Sequence, residues 1–336
     1  MVGSRQGGVA VGRAGVRRSV WRMGWALAAL LVLSVGMPEA QAQGAPAVSV
    51  PGEFGRVDGD QQAVMRGGFE VAPYVGSYDA RGHFVTLGDT RAADLVLRLG
   101  GGLRVGVEAL QVHAEAALPL AYRALAGEQV APWVGPIEGL VGVRWTLLDD
   151  LRLGLDSALR ASWVPTVELY ARLGVPVWRG QRGVAVGGGA ALLEAGAWEP
   201  GGGARLAKYI SYRDVVSWSL EGAFALARST EGGAGVRGGA SLRSVVTWTR
   251  VHSMTLSYGA LGEVALRGAV YQDEQTQAAT GPALAVRVGG FVSYALAYPY
   301  WEISAQLSSD WVGPRGAYNL PYVGPRVGVS LQRAFF

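Results

Sequence analysis

The stretch "LVLRLGGGLRVGVEA", residues 95–109, decides how this chain is read. Leu95, Leu97, Leu99, Leu103, Val105 and Val107 share one phase of a two-residue repeat, and Arg98, Arg104 and Glu108 share the other. Side chains alternate across a β-strand, so the segment is a strand with one apolar and one charged face. What the apolar face touches is the question that the rest of the chain answers.

The cadence recurs. "IEGLVGVRWTL" (137–147) puts Ile137, Val141, Val143, Trp145 and Leu147 on one face. "LRLGLDSALRA" (151–161), "VELYARLGVPV" (167–177), "WSLEGAFAL" (218–226) and "ASLRSVVTW" (240–248) follow suit, as do "MTLSYGALGEVAL" (254–266), "LAVRVGGFVSYAL" (284–296) and "WEISAQL" (301–307). Charged residues keep to the opposite phase: Glu70, Arg98, Arg104, Glu108, Glu115, Glu138, Arg144, Arg152, Asp156 and Arg160 in the first half. Glu168, Arg172, Glu221, Arg243, Glu263, Arg267, Arg287, Glu302 and Arg326 do so in the second, and the clear exceptions are Lys208 and Arg333. On a lipid-facing wall an Arg or Lys costs about 2–4 kcal/mol at the bilayer midplane and much less near the interface. That penalty, applied strand after strand, produces this segregation. A soluble sandwich would close its apolar faces on each other and leave the charges outside. The expected fold is all-β, a transmembrane antiparallel β-barrel, with the charged phase lining a pore.

Connections set the strand count. Short links are read at Leu110-Gln111, Asp149-Asp150, Trp178 to Arg182, Arg213-Asp214, Val251 to Ser253 and Ala297 to Pro299. Longer polar or Gly/Pro-rich links fall near 79–93, 123–136, 194–203, 228–236, 271–281 and 311–321. If the weak segment "ARLAKYISY" (204–212) is a strand, long and short links alternate throughout, which gives about 14 strands, with 12 as the alternative. Short turns on one side and long loops on the other are the asymmetry of outer-membrane barrels. Trp145, Trp163, Trp178, Trp218, Trp248 and Trp301 lie near strand ends, where an indole suits the headgroup level.

The two termini agree with export. Arg5, Arg13, Arg17, Arg18 and Arg22 precede the apolar run "MGWALAALLVLSVGM" (23–37) and then Ala40-Gln41-Ala42, a small-x-small cleavage site. This reads as a signal peptide, 1–42, leaving a mature chain from Gln43. Residues 43–68 read as an N-terminal periplasmic segment or plug, and 69–336 as the barrel. There is no cysteine, so a lipoprotein anchor, a disulfide and a cysteine-bound zinc are excluded. The formal charge of +4 includes the leader arginines, and without them nothing points to nucleic acid. The chain ends "VGVSLQRAFF" (327–336), with Val327, Val329, Leu331 and Phe335 in one phase.

With its leader, its repeated amphipathic strands over 69–336 and its terminal aromatics, the chain resembles a bacterial outer-membrane β-barrel of the porin or transporter kind. The resemblance implies a location in the outer membrane, contact with its lipid, and recognition of Phe335 and Phe336 by the barrel-assembly machinery. One departure stands out. Counting back in twos from Phe336 gives Ala334, Gln332 and Ser330, so the apolar phase belongs to Phe335, and either the strand ends one residue early or a bulge resets it. "GGLRVGVEALQVHAEAALPLAYR" (101–123) and "TLLDDLRLGLDSALR" (146–160) are also similar to the transporter barrels associated with aromatic-degradation operons.

Chemistry is sparse. Only His83, His113 and His252 could serve as a base, and no His-x-Ser pair shares a strand face. A paired-acid site among Asp79, Asp89 and Asp94 beside His83 is the remaining enzymatic option. "GGG" at 100–102, 187–189 and 201–203 lacks the context of a phosphate loop. No cofactor, metal or catalytic residue is therefore expected. The expectation is a monomeric channel for passive or facilitated passage of small polar solutes, or alternatively a structural or assembly component of the envelope with a closed lumen. Cross-strand pairs are expected between Arg144 and Asp156 and between Arg160 and Glu168.

Overall fold

The structure, a computed structural model, describes residues 56–57, 61–78, 84–86, 88, 91–125, 128–129, 133–134, 137–148, 165–178, 197–211, 213–229, 235–268, 270–272, 283–297, 300–312 and 324–336. Twelve long strands form its wall. They are β1 (Ala63–Tyr74), β2 (Arg91–Val105), β3 (Val107–Leu125), β4 (Ile137–Leu148), β5 (Thr166–Trp178) and β6 (Glu199–Tyr209). The second half supplies β7 (Asp214–Phe224), β8 (Ala240–Val251), β9 (Leu256–Arg267), β10 (Ala283–Ala297), β11 (Trp301–Val312) and β12 (Pro325–Phe335). Each pairs antiparallel with its neighbours in the chain, and β12 closes on β1 from Ala63 opposite Phe335 to Val71 opposite Val327. A closed sheet has no edge strand, which is what allows β-structure to cross a bilayer.

The expected count of fourteen gives way to the alternative of twelve. One edge of β5 is bonded to β4 and the other to β6, so no further stave enters on either side of it. Of the links expected at Asp149-Asp150 and at Trp178 to Arg182, only Trp178 is described, as the last residue of β5. Residues 151–161, expected as a strand, lie outside the described residues. Alternation reports the two faces of a strand but not its partners, which are chosen by distant hydrogen bonds. The weak segment at 204–212 is a true stave, since β6 runs to Tyr209.

The stretch 95–109 also holds a surprise. It is not one strand but two, turning at Gly106 rather than at Leu110-Gln111. Val105 faces Val107 and Arg104 faces Gln111, so the register shift absorbs the residues between. Gly106 has φ +67°, a conformation that a side chain resists and glycine adopts freely. The barrel begins at Ala63, inside the segment 43–68 expected to precede it. At the other end β12 stops at Phe335 and keeps unbroken register with both β1 and β11. The strand therefore ends one residue before the terminus, and no bulge is involved.

One end of the wall, the terminal end, holds the start of β1, the finish of β12 and the links at Gly106, 210–213, 252–255 and 298–300. The opposite, loop end carries a small sheet formed by Arg228–Ser229, Gly235–Gly238 and Val270–Gln272. Side chains sort by face as the alternation requires. Trp145 is 56% exposed, Val288 58% and Leu307 61%, while Arg66 is 2%, Glu168 3% and Ser304 5% exposed. The wall is apolar outside and polar inside, the reverse of a soluble protein.

Candidate functional site: the charged interior

The interior has two sectors. The first is formed by β8–β12 with β1 and β2, and contains a cavity of about 290 Å³ bordered by Arg66, Arg98, Arg243, Glu263, Arg287 and Ser304 among others. Glu263 organises it. Arg243 donates to both carboxylate oxygens at 2.9 and 3.0 Å, and Arg287 approaches the second oxygen at 3.5 Å. Arg287 stands directly opposite Glu263 on β10, so the sheet register itself makes this contact. Arg66 donates to Ser330 at 3.0 and 2.8 Å and to Ser304 at 3.0 Å, and the two hydroxyls lie 2.7 Å apart. Arg326 donates to Glu70 at 2.5 Å and Arg98 to Glu115 at 2.8 Å.

The second sector, formed by β3–β7, is packed more tightly. Its centre is Glu168, which lies 3.3 Å from Arg56 and 3.4 Å from Arg205, with all three side chains almost fully buried. Arg205 faces Glu168 across the β5–β6 pair. Arg56 comes from outside the wall, from the residues before β1. Its neighbour Val57 is 2% exposed and is gripped by one side chain: Gln111 donates to the Val57 carbonyl at 2.9 Å and accepts from the Val57 N–H at 3.2 Å. That two-bond clasp satisfies a backbone unit that would otherwise be buried unpaired. Arg104 holds the same segment further on, donating to the Gln61 carbonyl at 2.8 Å.

A glycine shapes this sector. Arg172 on β5 lies 2.6 Å from Glu221 on β7, although β6 runs between them, and the Tyr170 hydroxyl donates to Glu221 at 3.3 Å. The residue of β6 opposite both Tyr170 and Glu221 is Gly203. A Cβ there would stand 2.7 Å from the Tyr170 hydroxyl, so the absence of a side chain is what lets the two outer strands meet above the middle one. The "GGG" at 201–203 is thus a packing device on a strand.

The expected lining residues fall as follows. Arg98, Arg104, Glu115, Arg144, Glu168, Arg172, Glu221, Arg243, Glu263, Arg287 and Glu302 lie on the inward phase, and Glu138 shares it but is exposed at the loop end. The side chains of Glu108 and Arg267, and residues Arg152, Asp156 and Arg160, lie outside the description. Arg160, expected to pair with Glu168, lies outside the described residues, and Glu168 is met by Arg56 and Arg205. Arg144 is 9% exposed and stacks over Tyr170 at 5.7 Å, with its Nε and Nη1 buried and without hydrogen-bond partners, and its expected partner Asp156 lies outside the described residues. Sequence reasoning missed Arg56, Arg66 and Gln111, and it treated Arg205 as part of a doubtful strand. The two arginines lie before the expected start of the barrel, where no strand phase was assigned.

Among the described residues no three His, Asp or Glu side chains come together as a metal site. On the outer wall at the terminal end, Trp248 donates to Asp214 at 3.1 Å, and Arg250 lies 3.8 Å from the same carboxylate. Arg333, the outward-facing exception, lies 5.3 Å from the ring of Trp301 and 4.8 Å from that of Phe335.

No protein-family model matches the chain, and no curated protein sequence does. Solved structures do. The COG4313 outer membrane channel from Pseudomonas putida F1 superposes at a TM-score of 0.63 with 14% identity, covering 86% of this chain and 100% of that one. The KdgM porin (TM-score 0.40, 11% identity, 81% of this chain and 99% of that chain) superposes too loosely to bear on the reading. So does the translocator domain of the autotransporter NalP from Neisseria meningitidis (0.44, 10%, 95% and 98%). At such identity a likeness speaks for the fold alone, and the fold shared with that channel is a closed antiparallel β-barrel.

Proposed function

We propose that this chain is an outer-membrane channel that admits small polar solutes through its charged interior. The observation that carries the reading is the inversion of its faces: an outer wall of exposed Leu, Val and Trp around an interior of ion pairs with a cavity of about 290 Å³. An apolar surface of that extent belongs against lipid. The leader at 1–42 would be removed near Gln43, and the aromatic end at Phe335 and Phe336 would present the closing strand to the barrel-assembly machinery. The barrel works as a monomer. Arginines and acids in the interior come close to balance, which supports small conductance with weak ion selectivity.

The test is reconstitution of the refolded mature chain in a planar bilayer, where small unitary current steps are expected. A reversal potential far from zero in a salt gradient would overturn the balanced interior. Face assignment has its own test. Adjacent residues of β2 supply it. Leu97→Arg, 41% exposed on the outer face, is expected to block insertion at a cost of about 2–4 kcal/mol, whereas Arg98→Leu is tolerated. Equal effects would sink the lipid-facing assignment.

A second reading has an observation of its own. Arg56 and Val57 are buried against Glu168 and Gln111, so the segment before β1 occupies part of the interior. This favours a closed barrel with a structural role in the envelope. A bilayer silent with the mature chain would select it, with current from a chain trimmed to residue 58 tracing the closure to that segment, and current from the mature chain would reject it.

A further inference from the structure

We infer that the outer wall at the terminal end carries a binding site for the phosphate of a phospholipid headgroup, built from Arg333, Trp301 and Phe335; the inference rests on the membrane reading above. It starts from Arg333 as an anomaly. Arg333 lies on the outward phase of β12, between Leu331 and Phe335, and its side chain is exposed. Among the described residues it makes no hydrogen bond and no ion pair; its contacts are the two aromatic rings.

The sheet explains how the rings come to be there. Trp301 is the residue directly opposite Arg333 on β11, and Phe335 follows two positions later on the same face of β12. A guanidinium attracted by ring faces keeps its edge N–H donors for an anion, and those donors are planar and matched to two oxygens of a phosphate. Among the described residues no carboxylate is paired with Arg333. The contrast is Arg250, also outward at this end, whose charge is answered by Asp214 at 3.8 Å and whose neighbour Trp248 donates to the same carboxylate. The charge of Arg250 is neutralised within the wall, and that of Arg333 is presented.

Depth settles the partner. An outward charge without a counterion is excluded from the hydrocarbon and tolerated only near the interface, where indoles also gather. Arg333 is two residues from the end of its strand, at the level of Trp301, so its surroundings are lipid phosphates rather than acyl chains. A phospholipid satisfies both halves of the site, its phosphate against the guanidinium and its glycerol and upper acyl carbons against the rings.

The experiment is native mass spectrometry of the folded mature barrel in a mild non-ionic detergent, titrated with dioctanoyl phosphatidylglycerol and, separately, with phosphate-free dioctanoylglycerol. Saturable adducts with the phospholipid are expected for the wild type, reduced about fivefold by Arg333→Ala and unchanged by Arg250→Ala, with the phosphate-free lipid indifferent to both. Arg333→Lys should fall between, since it keeps the charge but loses the planar fork. If Arg333→Ala does not fold, judged by its β-sheet circular dichroism, Arg333→Gln carries the same expectation. Phospholipid retention equal to wild type in a folded variant overturns the inference while leaving the barrel in its membrane. Displacement of the lipid by equimolar inorganic phosphate also overturns it, because the site then reads free phosphate. A wild-type chain that never enters vesicles overturns the membrane reading, and this inference falls with it.

Discussion

The two sectors of the interior are made of the same residue types and differ in what completes them. Around Glu263 the partners all come from neighbouring staves, and a cavity remains beside them. Around Glu168 one partner is a stave residue, Arg205, and the other is Arg56, delivered by the segment before β1. Arg243 and Arg287, which meet Glu263, belong to the sheet. Glu168 is met in addition by a piece of chain from outside the sheet. Charge content therefore does not decide whether such a lumen is open. What decides it is whether a further segment is available to fill it.

The largest expected effect is on stability. Glu168→Ala leaves Arg56 and Arg205 buried without their shared carboxylate, a loss of about 3–5 kcal/mol for a buried pair deprived of one partner. Glu263→Ala, beside a cavity that admits water to Arg243 and Arg287, should cost about 1–3 kcal/mol. Equilibrium unfolding in urea, followed in detergent micelles, would read both. Equal losses would erase the distinction between the sectors.

A second effect is on conductance. Gln111→Ala removes the clasp on Val57 and should raise the unitary current, whereas Thr247→Ala, whose hydroxyl bonds Ser217 at 2.6 Å, should leave it near wild type. A Gln111→Ala channel of unchanged size would mean that residues 56 and 57 do not obstruct the path. The smallest effect is expected from Arg98→Ala, since Arg98 is 40% exposed in its pair with Glu115, and half-open pairs contribute about 1 kcal/mol or less. A loss as large as that of Glu168→Ala would show that the first sector is as tightly coupled as the second.

Much of the wall was legible in advance because alternation is written into each strand separately. Arg98, Arg144 and Arg287 could be assigned to the inward phase from their own strands, with no knowledge of a neighbour. Phe335 could be placed on the outer phase the same way, and the ambiguity left by Phe336 was one of strand length only. Arg66 and Arg56 were not legible, since they precede the first recognisable alternation. Gln111 was assigned to a turn, because the positive-φ bend at Gly106 is hidden inside an apolar rhythm that continues across it.

What the sequence by itself determined is the class of fold and the two faces of each stave, because alternation is local and the apolar and charged sets scarcely mix. Tertiary structure alone decided the strand number, the partners of Glu168 and the occupancy of the interior. Each of those depends on which distant backbone edges meet: β5 between β4 and β6, β12 against β1, and residues 56 and 57 against β3 and β5. A period of two carries no record of such meetings, for it is the same whichever strand lies alongside.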